Sequence, residues 1–190
     1  GVRERYILNG TLAGVEDADA LLLIGTNPRV EAAVWNARIR KAWLWADLKV
    51  GRIGEAADLT YEHAWLGDGA SALTDIRNSD FGKVLSDAER PMIVVGEGAL
   101  CGEDGAAVLA KALELTNEIG AIKDGWAGFG VLHNAAGRVG ALDIGFVPGE
   151  GGAATAEILS GGMDTVVLLG ADELDLSGLG DAKVIYIGSH

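Results

Sequence analysis

Short apolar runs punctuated by glycine dominate the chain. Ala20-Leu21-Leu22-Leu23-Ile24 is continuous and reads as a strand covered on both faces. Gly25-Thr26-Asn27-Pro28 follows at once. Asn27 suits a helix N-cap and Pro28 the first helical position, where no amide bond is lost. The predicted helix runs to Leu44, with Val30, Ala33, Val34 and Ala37 at 3/4 spacing and a second stripe of Trp35, Ile39 and Trp43. Lys49 to Gly54 then reads as a second strand, closing a right-handed strand–helix–strand unit. Leu12 to Val15 suits a helical turn before the first strand, and Ala57 to Trp65 a short extended piece.

The pattern repeats downstream. Ser71 to Ile76 and Phe81 to Leu85 are short amphipathic helices. Pro91-Met92-Ile93-Val94-Val95 is a third buried strand, with Pro91 tolerated only at its start. Gly96-Glu97-Gly98 follows, and Ala106 to Ile119 is a helix that Gly120 stops. Residues 125–152 are Gly-rich without strong periodicity, and so long an irregular stretch suits a binding or interface loop. After a short helix at Ala154 to Leu159 come two more apolar runs, Thr165 to Leu169 and Val184 to Ile187. Asp19-Ala-Leu-Leu-Leu-Ile-Gly25 echoes Asp164-Thr-Val-Val-Leu-Leu-Gly170, and Met92-Ile-Val-Val-Gly96 echoes both. The expectation is one α/β domain over residues 1–190, with sub-lobes at 1–88 and 89–190. Its sheet is mostly parallel and Rossmann-like, with helices on both faces. The strand-end loops gather where such sheets bind ligands.

The 190 residues suffice for one domain or two small lobes. Acidic residues outnumber basic ones 28 to 15, a net charge of −13. A chain this acidic argues against non-specific binding to nucleic acid backbones. The basic residues Arg29, Arg38, Arg40, Lys41, Lys49 and Arg52 cluster around the first helix and read as its solvated face, with a surface for an acidic partner as the alternative. No apolar run approaches the ~18 residues that span a membrane, and the polar start shows no signal peptide. A first residue that is Gly and a last strand with nothing to close it point to a fragment of a longer protein.

Chemical candidates are few. One cysteine, Cys101, allows no internal disulfide and cannot hold an iron–sulfur cluster or cysteine-rich zinc site alone. It is a reactive-thiol candidate, against the commoner reading of a buried small hydrophobe. His63, His133 and His190 lack local ligand spacing and read as structural or surface residues. Asp172, Glu173 and Asp175 follow a strand and suit turns and caps better than a metal. No nucleophile elbow, H-E-x-x-H, phosphate-binding glycine fingerprint or Gly-Lys-Ser/Thr occurs. One chemical feature remains: the turn Gly25-Thr26-Asn27-Pro28 aims backbone N–H groups and a helix start at one point, a geometry that holds anions when it does more than start a helix.

The segment from Tyr6-Ile-Leu-Asn-Gly-Thr through Leu23-Ile-Gly-Thr-Asn-Pro-Arg29 to Asn36-Ala-Arg-Ile-Arg-Lys41 resembles the large iron–sulfur subunits of respiratory complex I, the NADH:quinone oxidoreductase of bacteria and mitochondria. The mitochondrial form is called the 75 kDa subunit. Asp58-Leu-Thr-Tyr61, His63, Leu66-Gly-Asp68, Ala141-Leu-Asp-Ile-Gly145 and Leu169-Gly-Ala-Asp172 continue the likeness. It implies a fragment of that subunit's carboxy-terminal region, which is similar to molybdopterin oxidoreductases of the formate dehydrogenase and DMSO reductase type. In the molybdenum enzymes, the loop matching Gly25-Thr26-Asn27-Pro28 helps to hold a guanine dinucleotide arm of the cofactor. This chain keeps the loop but has Gly54-Glu55-Ala56 where those enzymes often carry Asp-Pro-Arg, and no Ser or Cys matches a molybdenum ligand.

The resemblance therefore implies a retired cofactor domain serving as scaffold. Gly25, Thr26, Asn27, Pro28, Gly96, Glu97, Gly170 and Asp172 are its vestigial cofactor positions, with no catalytic residue and no metal ligand. It further implies iron–sulfur clusters in a different, amino-terminal part of the subunit and no cofactor here. Partners would be other peripheral-arm subunits. The location would be the cytoplasmic face of the bacterial inner membrane, or the matrix face in mitochondria, without direct membrane insertion. Two other readings stand beside it. One is a working nucleotide- or molybdopterin-binding domain using Thr26, Asn27, Gly96 and Asp172. The other is the middle domain of a thiamine-diphosphate enzyme, which Arg90 to Leu113 resembles.

Overall fold

The computed structural model describes residues 2–188. It divides into two compact units, Gly1–Val139 and Gly140–His190. Nine strands and nine α-helices are present among the described residues. The strands are β1 (Ala20–Ile24), β2 (Lys49–Ile53), β3 (Ala64–Trp65), β4 (Pro91–Gly96), β5 (Ile122–Lys123), β6 (Trp126–Ala127), β7 (Phe129–Leu132), β8 (Thr165–Leu169) and β9 (Lys183–Ile187). The helices are α1 (Thr11–Gly14), α2 (Pro28–Glu31), α3 (Ala33–Trp45), α4 (Ala70–Asp75), α5 (Asp80–Asp87), α6 (Glu97–Leu100), α7 (Gly105–Glu118), α8 (Arg138–Asp143) and α9 (Thr155–Leu159).

The first unit is built on a five-stranded sheet in the order β3-β2-β1-β4-β7. All its neighbours are parallel. β1 lies at the centre because its five residues are all apolar and all buried. The chain steps from β1 to β2 and β3 on one side, then crosses to β4 and β7 on the other. The switch point therefore falls between the carboxyl ends of β1 and β4, at Gly25 and Gly96. Alternation along β1 and β4 feeds two cores. Leu22, Ile24, Ile93 and Val95 meet Phe81, Leu85, Val108, Ala112 and Leu115 of α5 and α7 on one face. Leu21, Leu23, Met92 and Val94 meet Trp35, Ile39 and Ala42 of α3 on the other. The sheet is thus covered on both faces, as parallel sheets require.

Several expectations change here. The Gly-rich stretch after Gly125 is not irregular throughout. Phe129-Gly-Val-Leu132 is β7, with Phe129 and Val131 buried. It occupies the edge beside β4, and the Thr165 and Val184 runs are strands of a different sheet. They pair only with each other, as the two-stranded parallel sheet of the second unit. The expected lobe boundary at 88/89 falls between α5 and β4, inside the first unit. The helix expected from Pro28 to Leu44 is interrupted at Ala32, which adopts φ −147°. Its buried stripe is Trp35, Ile39 and Ala42, whereas Val30 and Val34 are 78% and 74% exposed. Arg52, grouped by sequence with the solvated basic face, is buried at 4% exposure. Cys101 is exposed.

Gly120 ends α7 at φ +65°, where L side chains are strained. The turn Asp124-Gly125 closes the β5–β6 hairpin, with Gly125 at φ +74°. On α3 the buried Asn36 is held by Tyr61, whose hydroxyl donates to Asn36 Oδ1 at 2.8 Å, and Asn36 Nδ2 donates to Leu59 O at 3.3 Å. Burial pushes the Tyr61 hydroxyl well above its ordinary pKa, against the opposing Arg52 charge, so it stays a neutral donor.

The choice of stripe on α3 is directly testable. Ile39→Ala should cost about 2–5 kcal/mol by chemical denaturation, whereas the exposed Val34→Ala should stay within about 0.5 kcal/mol. Equal costs would contradict this packing.

Candidate functional site

The turn after β1 folds back on itself. Gly25 sits at φ +58°, and its N–H donates to Ile53 O at 2.8 Å. Thr26 is buried, and its carbonyl accepts from Arg52 Nε at 3.0 Å. Pro28 opens α2 as expected, but the Asn27 side chain makes no capping bond. Instead, Glu31 turns back from the end of α2. Its two carboxylate oxygens accept from the Asn27 N–H at 2.7 Å and the Thr26 hydroxyl at 2.8 Å. The Asn27 N–H, one of the backbone donors that sequence offered to an external anion, thus holds an internal one.

Around this turn the charges are arranged for Glu31. Burial lowers the pKa of the Arg52 guanidinium, while Glu31 and Glu55 oppose that shift. Two buried atoms nearby have no hydrogen-bond partner, Asn27 Oδ1 and Arg52 Nη1. Four of the other basic residues of the cluster are paired on the surface, Arg29 with Asp58, Arg38 and Lys41 with Glu16, Lys49 with Asp47, whereas Arg40 Nη1 is buried without a hydrogen-bond partner.

At the switch point the glycines serve packing. A Cβ on Gly25 would stand 2.3 Å from Ala99 Cβ, and one on Gly96 would stand 2.5 Å from Gly25 O. The loop after β4 therefore rests directly on the loop after β1, with no gap between them for a phosphate. Glu97 looks the other way. Its carboxylate pairs with Arg138 at 2.6 Å and accepts from the Asn134 N–H at 2.8 Å, which ties down the segment after β7. Beside these loops, over the ends of β1 and β2, lies a cleft of about 220 Å³ lined by Gly25, Gly54, Gly98, Asp68 and Asp104. Its volume is below the ~300–1,000 Å³ usual for cofactor sites, and two carboxylates on its wall oppose an anionic ligand.

The structure thus brings Gly25, Thr26, Asn27, Pro28 and Gly96 together at one switch point. Glu97 starts α6 beside them but points to Arg138. Gly170 and Asp172 lie in the second unit, in the loop after β8, where Gly170 takes φ +60°. His133 Nε2 is 2.6 Å from Tyr6 O and His63 Nδ1 is 3.2 Å from Tyr61 O, structural contacts in both cases. His190 lies outside the described residues. Asp175 accepts from the Ser177 N–H at 2.9 Å, a turn cap that lowers its pKa. Among the described residues no three His, Cys, Asp or Glu side chains converge as a metal site.

Sequence reasoning missed Glu31 and Arg52. An acid in the first turn after Asn27-Pro28 is a capping signal. A lone Arg within the strand pattern of Lys49 to Gly54 signals a buried cation seeking backbone oxygen.

A sequence model of molybdopterin oxidoreductases matches residues 1–190. The chain belongs to the molybdopterin oxidoreductase family. Over its whole length it is 43% identical to the "NADH-ubiquinone oxidoreductase 78 kDa subunit, mitochondrial" of Neurospora crassa, and 38% identical to the protein of that name in Candida albicans. It is also 38% identical over its whole length to the "NADH dehydrogenase (ubiquinone) iron-sulfur protein 1, mitochondrial" of Solanum tuberosum. It spans 25%, 26% and 25% of these three relatives, about a quarter of each. The complex I resemblance read from Tyr6 to Asp172 therefore holds across the chain. The family match includes Arg90 to Leu113, so the thiamine-diphosphate likeness there is shared strand–glycine–helix geometry and nothing more.

The cofactor of the family's name does not fit the residues present. The turn's donors are engaged by Glu31, the Gly25–Gly96 contact leaves no space, and the adjoining cleft is small and acidic. Removing the carboxylate tests this arrangement. Glu31→Ala should lower stability by about 1.5–3 kcal/mol through two charge-assisted bonds, read by denaturant titration. An unchanged midpoint would show that the two bonds contribute nothing.

Proposed function

We propose that this chain is a scaffold portion of the large iron–sulfur subunit of a complex I-type NADH:quinone oxidoreductase. It descends from a cofactor domain, carries no cofactor of its own and is not catalytic by itself. The relatives support membership of that complex. The scaffold reading is carried by the Glu31 carboxylate, which occupies the donors an external phosphate would need. Electron transfer from NADH to quinone, with its coupled proton translocation, then runs through iron–sulfur clusters elsewhere in the complex. The chain's role is to hold peripheral-arm subunits in place. It sits outside the membrane, on the matrix face in mitochondria or the cytoplasmic face in bacteria. In keeping with that, no described helix is long and apolar enough to cross a membrane.

A second reading has a specific observation in its favour. Asn27 Oδ1 and Arg52 Nη1 are a buried acceptor and donor with no partner, and a guanine nucleotide or pterin offers both kinds of group. A binding measurement separates the two. A ligand at a hundredfold excess over its Kd adds about 2.7 kcal/mol of stability. On the scaffold reading, millimolar GMP or GDP leaves the melting temperature of the purified chain unchanged, and elemental and fluorescence assays find no stoichiometric molybdenum, iron or pterin. A shift of several degrees, or one equivalent of any of the three, would overturn it.

A further inference from the structure

The second unit repeats the start of the first. β8 and β9 pair in parallel from Thr165↔Lys183 to Leu169↔Ile187, as β1 and β2 pair from Ala20↔Lys49 to Ile24↔Ile53. The flanking bonds match as well. Lys49 N–H donates to Asp19 O and Lys183 N–H to Asp164 O, both at 3.0 Å. Gly25 N–H donates to Ile53 O and Gly170 N–H to Ile187 O, both at 2.8 Å. Even the second strands agree, Lys49-Val-x-x-Ile-Gly54 with Lys183-Val-x-x-Ile-Gly188. The first unit is thus a template for what a β1–β2 pair requires.

By that template the second unit is covered on one face of β8 only, since Val184 and Tyr186 on the same side of β9 are 41% and 38% exposed. Val166 and Leu168, the counterparts of Leu21 and Leu23, are buried with Leu179 against Ile158, Leu159 and Met163. Val167 and Leu169, the counterparts of Leu22 and Ile24, are 57% and 77% exposed, and Ile185 and Ile187 are 39% and 54% exposed. In the first unit the matching face is covered by α5 and α7. The free edge of β1 is taken there by β4, and the Asp19 carboxylate accepts from the Glu89 and Arg90 N–H groups at 2.7 and 2.9 Å as the chain enters that strand. The matching edge of β8 carries no strand among the described residues, and Asp164 is exposed.

We propose that the bare face of β8–β9 and the free edge of β8 are a docking surface for a parallel apolar strand and an amphipathic helix. The Asp164 carboxylate caps the amides leading into that strand. The occupant is polypeptide of the same protein outside these 190 residues. Parallel neighbours are joined by crossovers within one chain. A two-fold-related second copy would instead lay β8 antiparallel to itself. The bare face rests on this structure alone; the source rests on the reading of the chain as about a quarter of a complex I subunit.

Hydrogen exchange read by mass spectrometry tests this on the 190-residue chain and on the natural full-length protein. The β8 and β9 amides should exchange at least tenfold more slowly in the full-length protein. The double variant V167D/L169D should remove that protection, yet leave the melting temperature of the 190-residue chain unchanged, because both side chains are already exposed there. Equal exchange in the two proteins would overturn the proposal. So would protection in the 190-residue chain that grows with its concentration, which would make the occupant a second copy. If the complex I reading alone were wrong, the full-length protein would keep the protection but fail to co-purify with NADH:quinone oxidoreductase activity.

Discussion

A single carboxylate organises the switch point of the main sheet. Glu31 reaches back over one helical turn and neutralises the donors that the β1–α2 turn presents. With that position filled, the backbones after β1 and β4 can close on one another, and Gly25 and Gly96 are small enough to let them. Arg52 stays buried beneath because Glu31 and Glu55 balance its charge and Thr26 O accepts from its Nε. The turn is a packing joint in which internal charge does what an external phosphate does elsewhere.

On the proposed scaffold reading, that joint is what a member of this family would use in place of a ligand. Large apolar side chains also remain on the surface. Val30, Val34, Leu44 and Trp45 stand exposed along the outer side of α2 and α3. The second unit offers a parallel sheet buried on one face of β8 only. Large exposed apolar side chains at helical or strand spacing are more common at interfaces than on free surfaces.

Much of the first unit was legible in the sequence, because five-residue apolar runs followed by glycine have few alternative readings. β1, β2, β4, α5 and α7 came from periodicity, and the switch point came from their order. What was lost has physical causes. Phe129-Gly-Val-Leu132 is too short and too glycine-rich to stand out from its loop, although Phe129 and Val131 are buried as firmly as β4. Between the two stripes of α3, periodicity could not choose, since both are apolar, and only the sheet's position decides for Trp35 and Ile39. The internal repeat was visible, but it suggested a shared sheet. Pairing is a long-range choice, and β7 had taken the edge beside β4. Within the site, the residue types at Gly25, Thr26, Asn27 and Gly96 read as turns, and turns they form. Their occupant was hidden, because the partner, Glu31, looked like an ordinary first-turn acid.

The central claim is that the turn is filled from within. Its most direct test is an NMR titration of the Asn27 amide with millimolar orthophosphate, in the natural chain and in Glu31→Ala. A carboxylate already bound to that amide predicts no shift in the natural chain and a saturable shift once the carboxylate is gone. A saturable shift in the natural chain would show the turn open to external anions and would contradict the account.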